Sequence, residues 1–340
     1  MASPQYVLVT GATGFIGAHV VDSLLAKGLR VRGATRSPAK GEAMRAARPQ
    51  HTDSLDFVQI ADFSEPNSLS DAVQGVDAVI HVASPFTYDT KDNEKELIIP
   101  AINGVKGILA AAANVGTVKR VVVTSSFASV LDADRKDREN GNYFTYTGAD
   151  WNPLTYAESA DPATSAVIAY RGSKKFAEKA AWDFMAETKP AFDLVTLCPP
   201  MTFGPVAHPV AKPADLNESN AMLWKVATGE KPLPVARVPF WIDVRDLAQA
   251  HVEALLRPTA GGQRYIPASP ERFSYGKAAQ IVVDHFAWSR ESVVPEDQPV
   301  DESHGVDGVT AASALGLNYK TFEQTVVDLV GQAKKLDEAK

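Results

Sequence analysis

A glycine-rich turn between an apolar strand and a helix, close to the amino terminus, is the feature that most restricts the fold. Residues 6–10 (YVLVT) are apolar and β-branched, which predicts a buried strand. The turn 11–17 (GATGFIG) follows at once, and residues 18–27 have helical apolar spacing before Gly28 ends the helix. This context favours nucleotide binding, because small residues let the backbone approach a pyrophosphate that faces the helix N-terminus. The alternative, glycines that serve packing alone, is less favoured, although the spacing is GxxGxxG rather than GxGxxG.

The second predicted strand, residues 29–36 (LRVRGATR), indicates which nucleotide would bind. An enzyme that uses NAD usually carries an Asp or Glu here for the ribose 2′-hydroxyl, and none occurs between Gly28 and Gly41. Arg36 stands at the strand end instead, with Arg32 before it and Lys40 after it. Because Arg and Lys bind phosphates, this pattern predicts a 2′-phosphate site and hence NADP(H). The alternative is a solvated basic turn.

Further strands alternate with helices along the first 200 residues. Apolar runs predict these strands at 55–60, 77–84, 118–124 and 192–197. A long apolar helix is predicted at 93–115, with Pro100 kinking or restarting it. The pattern is typical of an α/β, doubly wound parallel sheet of the Rossmann type, whose ligands bind at the carboxyl ends of the strands. Asp62, Ser84 and residues 124–126 (TSS) fall at such ends, where Asp62 would accept from an adenine amino group or cap the next helix.

The pattern changes after about residue 200, where prolines become frequent and strands short. We therefore expect a nucleotide-binding domain over residues 1–199 and a smaller, mainly substrate-binding lobe over 200–340. Residues 240–257 are expected to return to the first domain. Helices are predicted in this half around 217–228, 243–257, 274–286 and 320–335.

Tyr170 and Lys174 are four residues apart at the start of a run rich in helix formers. Residues at this spacing share one helix face, so the ammonium lies near the phenol. A nearby positive charge lowers the pKa of a phenol, which lets it exchange a proton near neutrality. Alone the pair is more often coincidence than chemistry, and its meaning depends on the rest of the chain.

Charge and cysteine content restrict the partners and the compartment. The net charge of −7 disfavours nucleic acid and anionic membranes as general partners, and no apolar run approaches the ~20 residues of a membrane helix. Cys198 is the single cysteine, which fits a reducing, cytoplasmic location, and residues 1–5 show no signal-peptide pattern. Cys198 is expected in a buried strand rather than as a nucleophile. His81 is interpreted as a packed histidine, and no spacing predicts a metal site.

The motifs together resemble those of an extended (atypical) short-chain dehydrogenase/reductase, nearest to the dihydroflavonol-4-reductase-like subgroup. This subgroup includes NADPH-dependent aldehyde, methylglyoxal and ketone (carbonyl) reductases. The resemblance rests on VTGATGFIG (9–17), TSS (124–126) and YRGSK (170–174). Supporting matches are RSPAK (36–40), HVASPF (81–86), PAING (100–104), VKRVVVTSS (118–126), Gly204-Pro205 and WIDVRDLAQAHV (241–252).

The resemblance implies reduction of a carbonyl by NADPH, in which Tyr170 is the general acid, Ser126 polarises the carbonyl, and Lys174 holds the nicotinamide ribose and lowers the Tyr170 pKa. Ser126 rather than Ser125 follows the family pattern. The cofactor-binding residues that the resemblance implies are Gly11, Thr13, Gly14, Phe15, Ile16, Arg36, Lys40, Asp62, Phe63, Val82, Ala83, Ser84, Thr124, Tyr170, Lys174, Pro199 and Thr202.

The expected substrate is a small-molecule carbonyl compound, aromatic or aliphatic, because the positions that correspond to the family's pocket are apolar. They are Phe86, Leu131 and Met201, with Trp224 and Trp241 as further contributors, although each would also suit a core. Leu131 stands where plant dihydroflavonol reductases carry Asn, which disfavours a flavonoid. The alternatives are an NAD(P)-dependent hydroxysteroid dehydrogenase, a nucleotide-sugar epimerase, or a non-catalytic NADP-sensing regulator. The chain is expected to be a monomer or a homodimer.

Overall fold

The computed structural model describes residues 5–60, 66–84, 90–135 and 144–339, with the backbone alone at 66–68. The strands are β1 (Tyr6–Thr10), β2 (Arg30–Thr35), β3 (Leu55–Gln59), β4 (Ala78–His81), β5 (Arg120–Thr124), β6 (Phe144–Tyr146), β7 (Asp193–Leu197), β8 (Met201–Phe203), β9 (Trp241–Asp243), β10 (Arg264–Tyr265) and β11 (His304–Val306). The α-helices are α1 (Phe15–Ala26), α2 (Pro38–Ala46), α3 (Pro66–Ala72), α4 (Ile99–Val115), α5 (Tyr156–Ala160), α6 (Ala166–Thr188), α7 (Glu218–Ala227), α8 (Val244–Leu256), α9 (Tyr275–His285), α10 (Gly308–Leu315) and α11 (Phe322–Glu338).

The central sheet has seven strands in the order β10-β7-β5-β4-β1-β2-β3 within the described residues, and every pairing in it is parallel. The chain leaves β1 toward β2 and β3 on one side and later returns to β4 on the other. A crevice therefore opens between the ends of β1 and β4, which is where a doubly wound sheet binds its ligand. The predicted α/β fold with its parallel sheet is confirmed.

Alternate residues along the strands enter two apolar cores, as expected for a sheet covered on both faces. Val7 and Val9 of β1 pack against α1, α8 and α10, whereas Leu8 packs on the other face against α3, α4 and α6. A third core, around Phe203, Trp241 and Phe322, joins α7, α9 and α11 in the second half of the chain. Trp241 is fully buried there, so the structure gives it a packing role rather than a place on a substrate pocket.

The second half of the chain contributes to the main sheet at several points. Helix α8 packs against α1 in the first core, β10 extends the sheet beyond β7, and α10 joins the same core. Within residues 240–257, α8 lies in the first core while β9 pairs with β8 in a separate two-stranded sheet, and the sequence did not indicate β10 or α10. The division into a cofactor-binding and a substrate-binding domain remains a prediction.

The helix predicted at 93–115 consists of a π-helical turn, Glu94–Ile98, followed by α4 with Pro100 in its first turn. Proline has no N–H to donate, so it is tolerated where a new helical stretch begins, and Pro100 restarts the helix as expected. By length and a mean hydropathy of 1.4, Glu94–Val115 would suffice to cross a membrane. Its residues Val105, Ile108 and Leu109 are buried against the sheet, which accounts for its apolar composition.

Candidate active site

A cleft of about 920 Å³ opens at the carboxyl edge of the central sheet. It brings together predicted residues from five separate stretches of the chain, because parallel strands all end at this edge. The predicted residues that border it are Gly11, Thr13, Gly14, Phe15, Ile16, Arg36, Lys40, Val82, Ala83, Ser84, Thr124 and Lys174. Helix α4 adds a wall that includes Pro100 and Asn103.

The glycine turn has, at its three glycines, no side chains where its backbone would meet a bound ligand. Gly11 has φ +66°, and a Cβ there would lie 2.9 Å from the backbone nitrogen of Ala83. A Cβ on Gly17 would lie 2.1 Å from the carbonyl oxygen of Gly11. No side chain caps the start of α1 at Gly14, and its first turn holds no acidic residue. The turn and the positive end of the helix dipole therefore fit a pyrophosphate.

Arg36 and Lys40, at the β2 end of the cleft, are exposed, and neither side chain forms an ion pair with a residue in the described ranges. Arg32 differs, because its Nε donates to Asp56 Oδ1 over 3.2 Å and its guanidinium lies over the Tyr6 ring. Two uncompensated cations beside a nucleotide cleft fit a 2′-phosphate. Arg32, which the sequence placed in the same basic group, does not border the cleft.

Lys174 reaches the cleft from helix α6, whose first turn is capped by the Ser165 hydroxyl. Its Nζ donates to Ser84 Oγ over 2.6 Å and lies 5.6 Å from the ring centroid of Tyr170. Burial lowers the pKa of Lys174 to about 8, because the charged form is poorly solvated. Tyr170 and Lys174 are thus neighbours on α6 as predicted from their spacing. Tyr170 itself is half-buried and does not border the cleft.

The two adjacent serines after β5 have different surroundings. Ser125 is buried, borders the cleft and donates its hydroxyl to Glu178 Oε2 over 2.6 Å. Ser126 Oγ accepts a hydrogen bond from the Ala128 backbone nitrogen at 3.1 Å, which caps the short helix Phe127–Ser129. The Ser126 hydroxyl donates to no residue in the part of the chain that the structure describes, so its proton is available to a ligand. Ser126 does not itself border the cleft.

A buried ion pair beneath these serines was not found by sequence reasoning. Glu178 is 2% exposed, and Arg264 from β10 donates to it through Nε at 2.7 Å and Nη2 at 3.1 Å. Burial opposes ionisation of Glu178, but the charge and hydrogen bonds of Arg264 outweigh it, so the pKa of Glu178 is lowered. Its position four residues after Lys174 was a signal in the sequence, since it shares the face of α6 that carries Lys174.

Two buried histidines support the strand ends. Thr10 Oγ1 accepts from the Ala83 backbone nitrogen at 3.1 Å and forms a 2.8 Å hydrogen bond with His81 Nδ1. His251 of α8 donates through Nδ1 to the Leu247 carbonyl at 2.8 Å, which leaves Nε2 to accept from Thr124 at 2.6 Å. Burial lowers the pKa of each imidazole to about 4, so both stay neutral. His81 is packed as predicted, while nothing in the sequence indicated His251.

The other predicted positions lie apart from the cleft or outside the described residues. Pro199 is buried and Thr202 lies in β8, and neither borders the cleft. Leu131 borders a small separate cavity of about 30 Å³ beside Phe240, and Met201 is 42% exposed. Asp62, Phe63 and Phe86 lie outside the described residues.

Cys198 is fully buried, and burial together with the Glu178 charge raises the pKa of its thiol to about 12. A thiol that stays protonated is a poor nucleophile, and Cys198 is buried as expected. Among the described residues, no three His, Cys, Asp or Glu side chains group together as metal ligands.

Comparisons with known proteins agree with this architecture. A family model described as the NAD dependent epimerase/dehydratase family matches residues 7–266. An uncharacterised oxidoreductase of Schizosaccharomyces pombe is 38% identical, over 98% of this chain and 97% of its own. The NADPH-dependent methylglyoxal reductase GRE2 of Saccharomyces cerevisiae is 33% identical, over 97% of this chain and 98% of its own. The crystal structure of yeast methylglyoxal/isovaleraldehyde reductase Gre2 complexed with NADPH has a TM-score of 0.86 at 32% identity, over 97% of this chain and 98% of that one.

Proposed function

Because the chain belongs to the NAD dependent epimerase/dehydratase family, the extended short-chain dehydrogenases/reductases, we propose that it reduces an aldehyde or ketone carbonyl to the alcohol with NADPH. The main support for this proposal is that Arg36, Lys40 and Lys174 border the same cleft. Lys174 in turn lies beside Tyr170. The cofactor is NADP(H), which fits the glycine turn and the two uncompensated cations. Full-length similarity to an NADPH-dependent reductase supports this choice.

Each catalytic side chain has a role that its chemistry supports. Bound NADPH supplies the hydride, so the protein has to stabilise negative charge on the carbonyl oxygen and deliver a proton to it. Tyr170 gives its phenolic proton to that oxygen, and Ser126 donates a hydrogen bond to it. Lys174 holds the nicotinamide ribose hydroxyls, and its positive charge stabilises the phenolate that Tyr170 becomes.

The alternatives are less well supported. A nucleotide-sugar epimerase retains NAD, whereas residues 29–40 of this chain contain Arg36 and Lys40 and no Asp or Glu. A hydroxysteroid dehydrogenase would use the same Ser, Tyr and Lys and differs only in the bulk of its substrate. A non-catalytic NADP sensor has no need of these three residues, all of which this chain keeps. A cytoplasmic location and a monomeric or homodimeric state remain expectations.

The direct test is NADPH oxidation by the purified protein across a panel of aldehydes, α-ketoesters, diketones and bulky aryl ketones. We expect turnover of several aliphatic or aryl carbonyls with NADPH and much slower turnover with NADH. Absence of NADPH oxidation with every carbonyl, despite tight NADPH binding, would favour the sensor. Turnover restricted to steroid ketones would favour the dehydrogenase.

A further inference from the structure

We propose that Glu178, held by Arg264, is the positioning residue that aims the Ser126 hydroxyl at the substrate carbonyl, an inference that rests on the proposed function. Glu178 borders the floor of the cleft together with Ser125. It lies on helix α6, one turn after Lys174. The same helix would thus present the proton donor and orient the second hydroxyl.

Each oxygen of the Glu178 carboxylate binds donors from separate elements. Oε2 accepts from Ser125 at 2.6 Å, and Oε1 accepts from Thr196 of β7 at 2.7 Å. Arg264 of β10 contacts both oxygens and continues to the carbonyl oxygens of Gly148 and Asp150. The guanidinium also lies over the Trp151 ring, 3.9 Å from its centroid. The carboxylate is therefore fixed in position by groups on all sides.

The residues on both sides of Ser126 are tied to this carboxylate. Ser125 precedes it and donates to Oε2. The Ser129 hydroxyl lies 2.6 Å from the same Oε2 and 2.7 Å from the Ser126 carbonyl oxygen, so its single proton is shared between them. Arg264 Nη2 donates to Ser129 Oγ at 3.0 Å and holds it there. Ser126 is thereby held in an extended backbone conformation, at φ −157° and ψ 150°.

The same contacts separate the roles of the three serines. Ser125 and Ser129 give their protons to the carboxylate region, whereas Ser126 accepts from the Ala128 nitrogen and donates to no described residue. A carboxylate suits this purpose because it only accepts hydrogen bonds. It therefore takes the protons of Ser125 and Ser129 and cannot itself donate to the substrate oxygen, which is left to Ser126. A small loss of orientation at Ser126 would weaken its bond to the developing negative charge.

The test is a double-mutant cycle of Ser129→Ala with Ser126→Ala. Ser129→Ala removes the hydroxyl that bonds Glu178, the Ser126 carbonyl oxygen and Arg264 Nη2, and it leaves the ion pair between Glu178 and Arg264 in place. We expect it to lower kcat roughly 10- to 100-fold while the Kd for NADPH, measured by fluorescence, changes less than about two-fold. When Ser126 is already Ala, adding Ser129→Ala should lower kcat almost no further, because Ser129 and Glu178 act on the reaction only by orienting Ser126.

Ser289→Ala is the matched control, because Ser289 is equally buried and donates to the Val282 and Phe286 carbonyls in the other lobe. It should lower the melting temperature without changing kcat. An unchanged kcat in Ser129→Ala, or the same fold-loss with and without Ser126, would overturn the positioning role. Ser125→Ala, run through the same cycle, repeats the test should Ser129→Ala fold poorly. Absence of activity in the unmodified protein would instead refute the proposed function, so the two failures are distinguishable.

Discussion

Lys174 Nζ donates a hydrogen bond to Ser84 Oγ over 2.6 Å and so joins helix α6 to the end of strand β4 across the cleft. The bond holds a partly buried ammonium, and loss of hydration lowers its pKa to about 8. Lys174 therefore carries its charge below about pH 8 and loses it above that pH. We therefore expect the pH dependence of the proposed reaction to follow the protonation of Lys174.

We predict that kcat/KM for carbonyl reduction falls as the pH rises through about 8, since the free enzyme then loses the Lys174 charge. Ser84→Ala should move this decline to lower pH, because it removes an acceptor that stabilises the ammonium. Lys175→Met is the control, as Lys175 Nζ donates to the Leu154 carbonyl instead. The measurement is kcat/KM as a function of pH for the unmodified protein, Ser84→Ala and Lys175→Met. A decline that is the same in Ser84→Ala and the unmodified protein would show that Lys174 does not control it.

The preference for NADPH over NADH is tested by comparing two arginines, Arg36 at the cleft and Arg32 away from it. Arg36→Ala removes the guanidinium that we propose binds the 2′-phosphate, and we expect it to lower the ratio of kcat/KM for NADPH over NADH roughly 10- to 100-fold. Arg32→Ala should leave that ratio unchanged, because Arg32 pairs with Asp56 away from the cleft. Steady-state kinetics with both cofactors provide the comparison. Equal changes in the two variants would refute the assignment of the phosphate site.

Close packing of the glycine turn gives a prediction about stability. A Cβ at Gly17 would lie 2.1 Å from the Gly11 carbonyl oxygen, so Gly17→Ala forces the turn apart. We expect it to cost about 1–3 kcal/mol of stability and to weaken NADPH binding. Gly331→Ala in α11 is the control, because its Cβ would come no nearer than 3.8 Å to another heavy atom. That change should stabilise the protein by about 0.5–1 kcal/mol. Urea unfolding measures the stability of both variants, and NADPH titration measures their affinity. A Gly17→Ala protein with unchanged stability and unchanged NADPH affinity would contradict the prediction.

The first half of the fold was predictable because its signals are local. The strand over residues 6–10 and the helix after it follow from apolar spacing and from glycines whose conformations the turn requires. The parallel order follows from the alternation of strands with helices. The edge where Ser84, Thr124 and Lys174 converge then follows from the topology, before any contact is known.

The second half was less predictable because its short elements are stabilised by long-range contacts. Strand β10 has two residues and pairs with β7, and the Arg264 side chain on it contacts Glu178, which is 86 residues away in the sequence. Strands β6 and β11 pair across a still longer separation in the sequence, as His304 lies opposite Phe144. No periodicity marks segments of two or three residues, so sequence patterns miss them.

The same limit applies to the site. The residues proposed as catalytic could be identified from the sequence because Tyr170 and Lys174 stand at helical spacing and Ser126 follows an apolar strand. The supporting residues, Arg264 and His251, reach the site from distant parts of the chain and leave no local pattern. Arg32 lies close to Arg36 in the sequence, but in the structure its side chain pairs with Asp56 and does not border the cleft.

Replacement of Tyr170 by Phe tests the central claim most directly, since it removes one hydroxyl and keeps the ring. NADPH binding and carbonyl reduction are measured on the same preparation, by fluorescence titration and by stopped-flow single turnover. We predict that the Kd for NADPH stays within about three-fold, while the rate of reduction falls by roughly 10²- to 10⁴-fold, the range for loss of a general acid. Reduction at the unmodified rate by the Tyr170→Phe protein would contradict it.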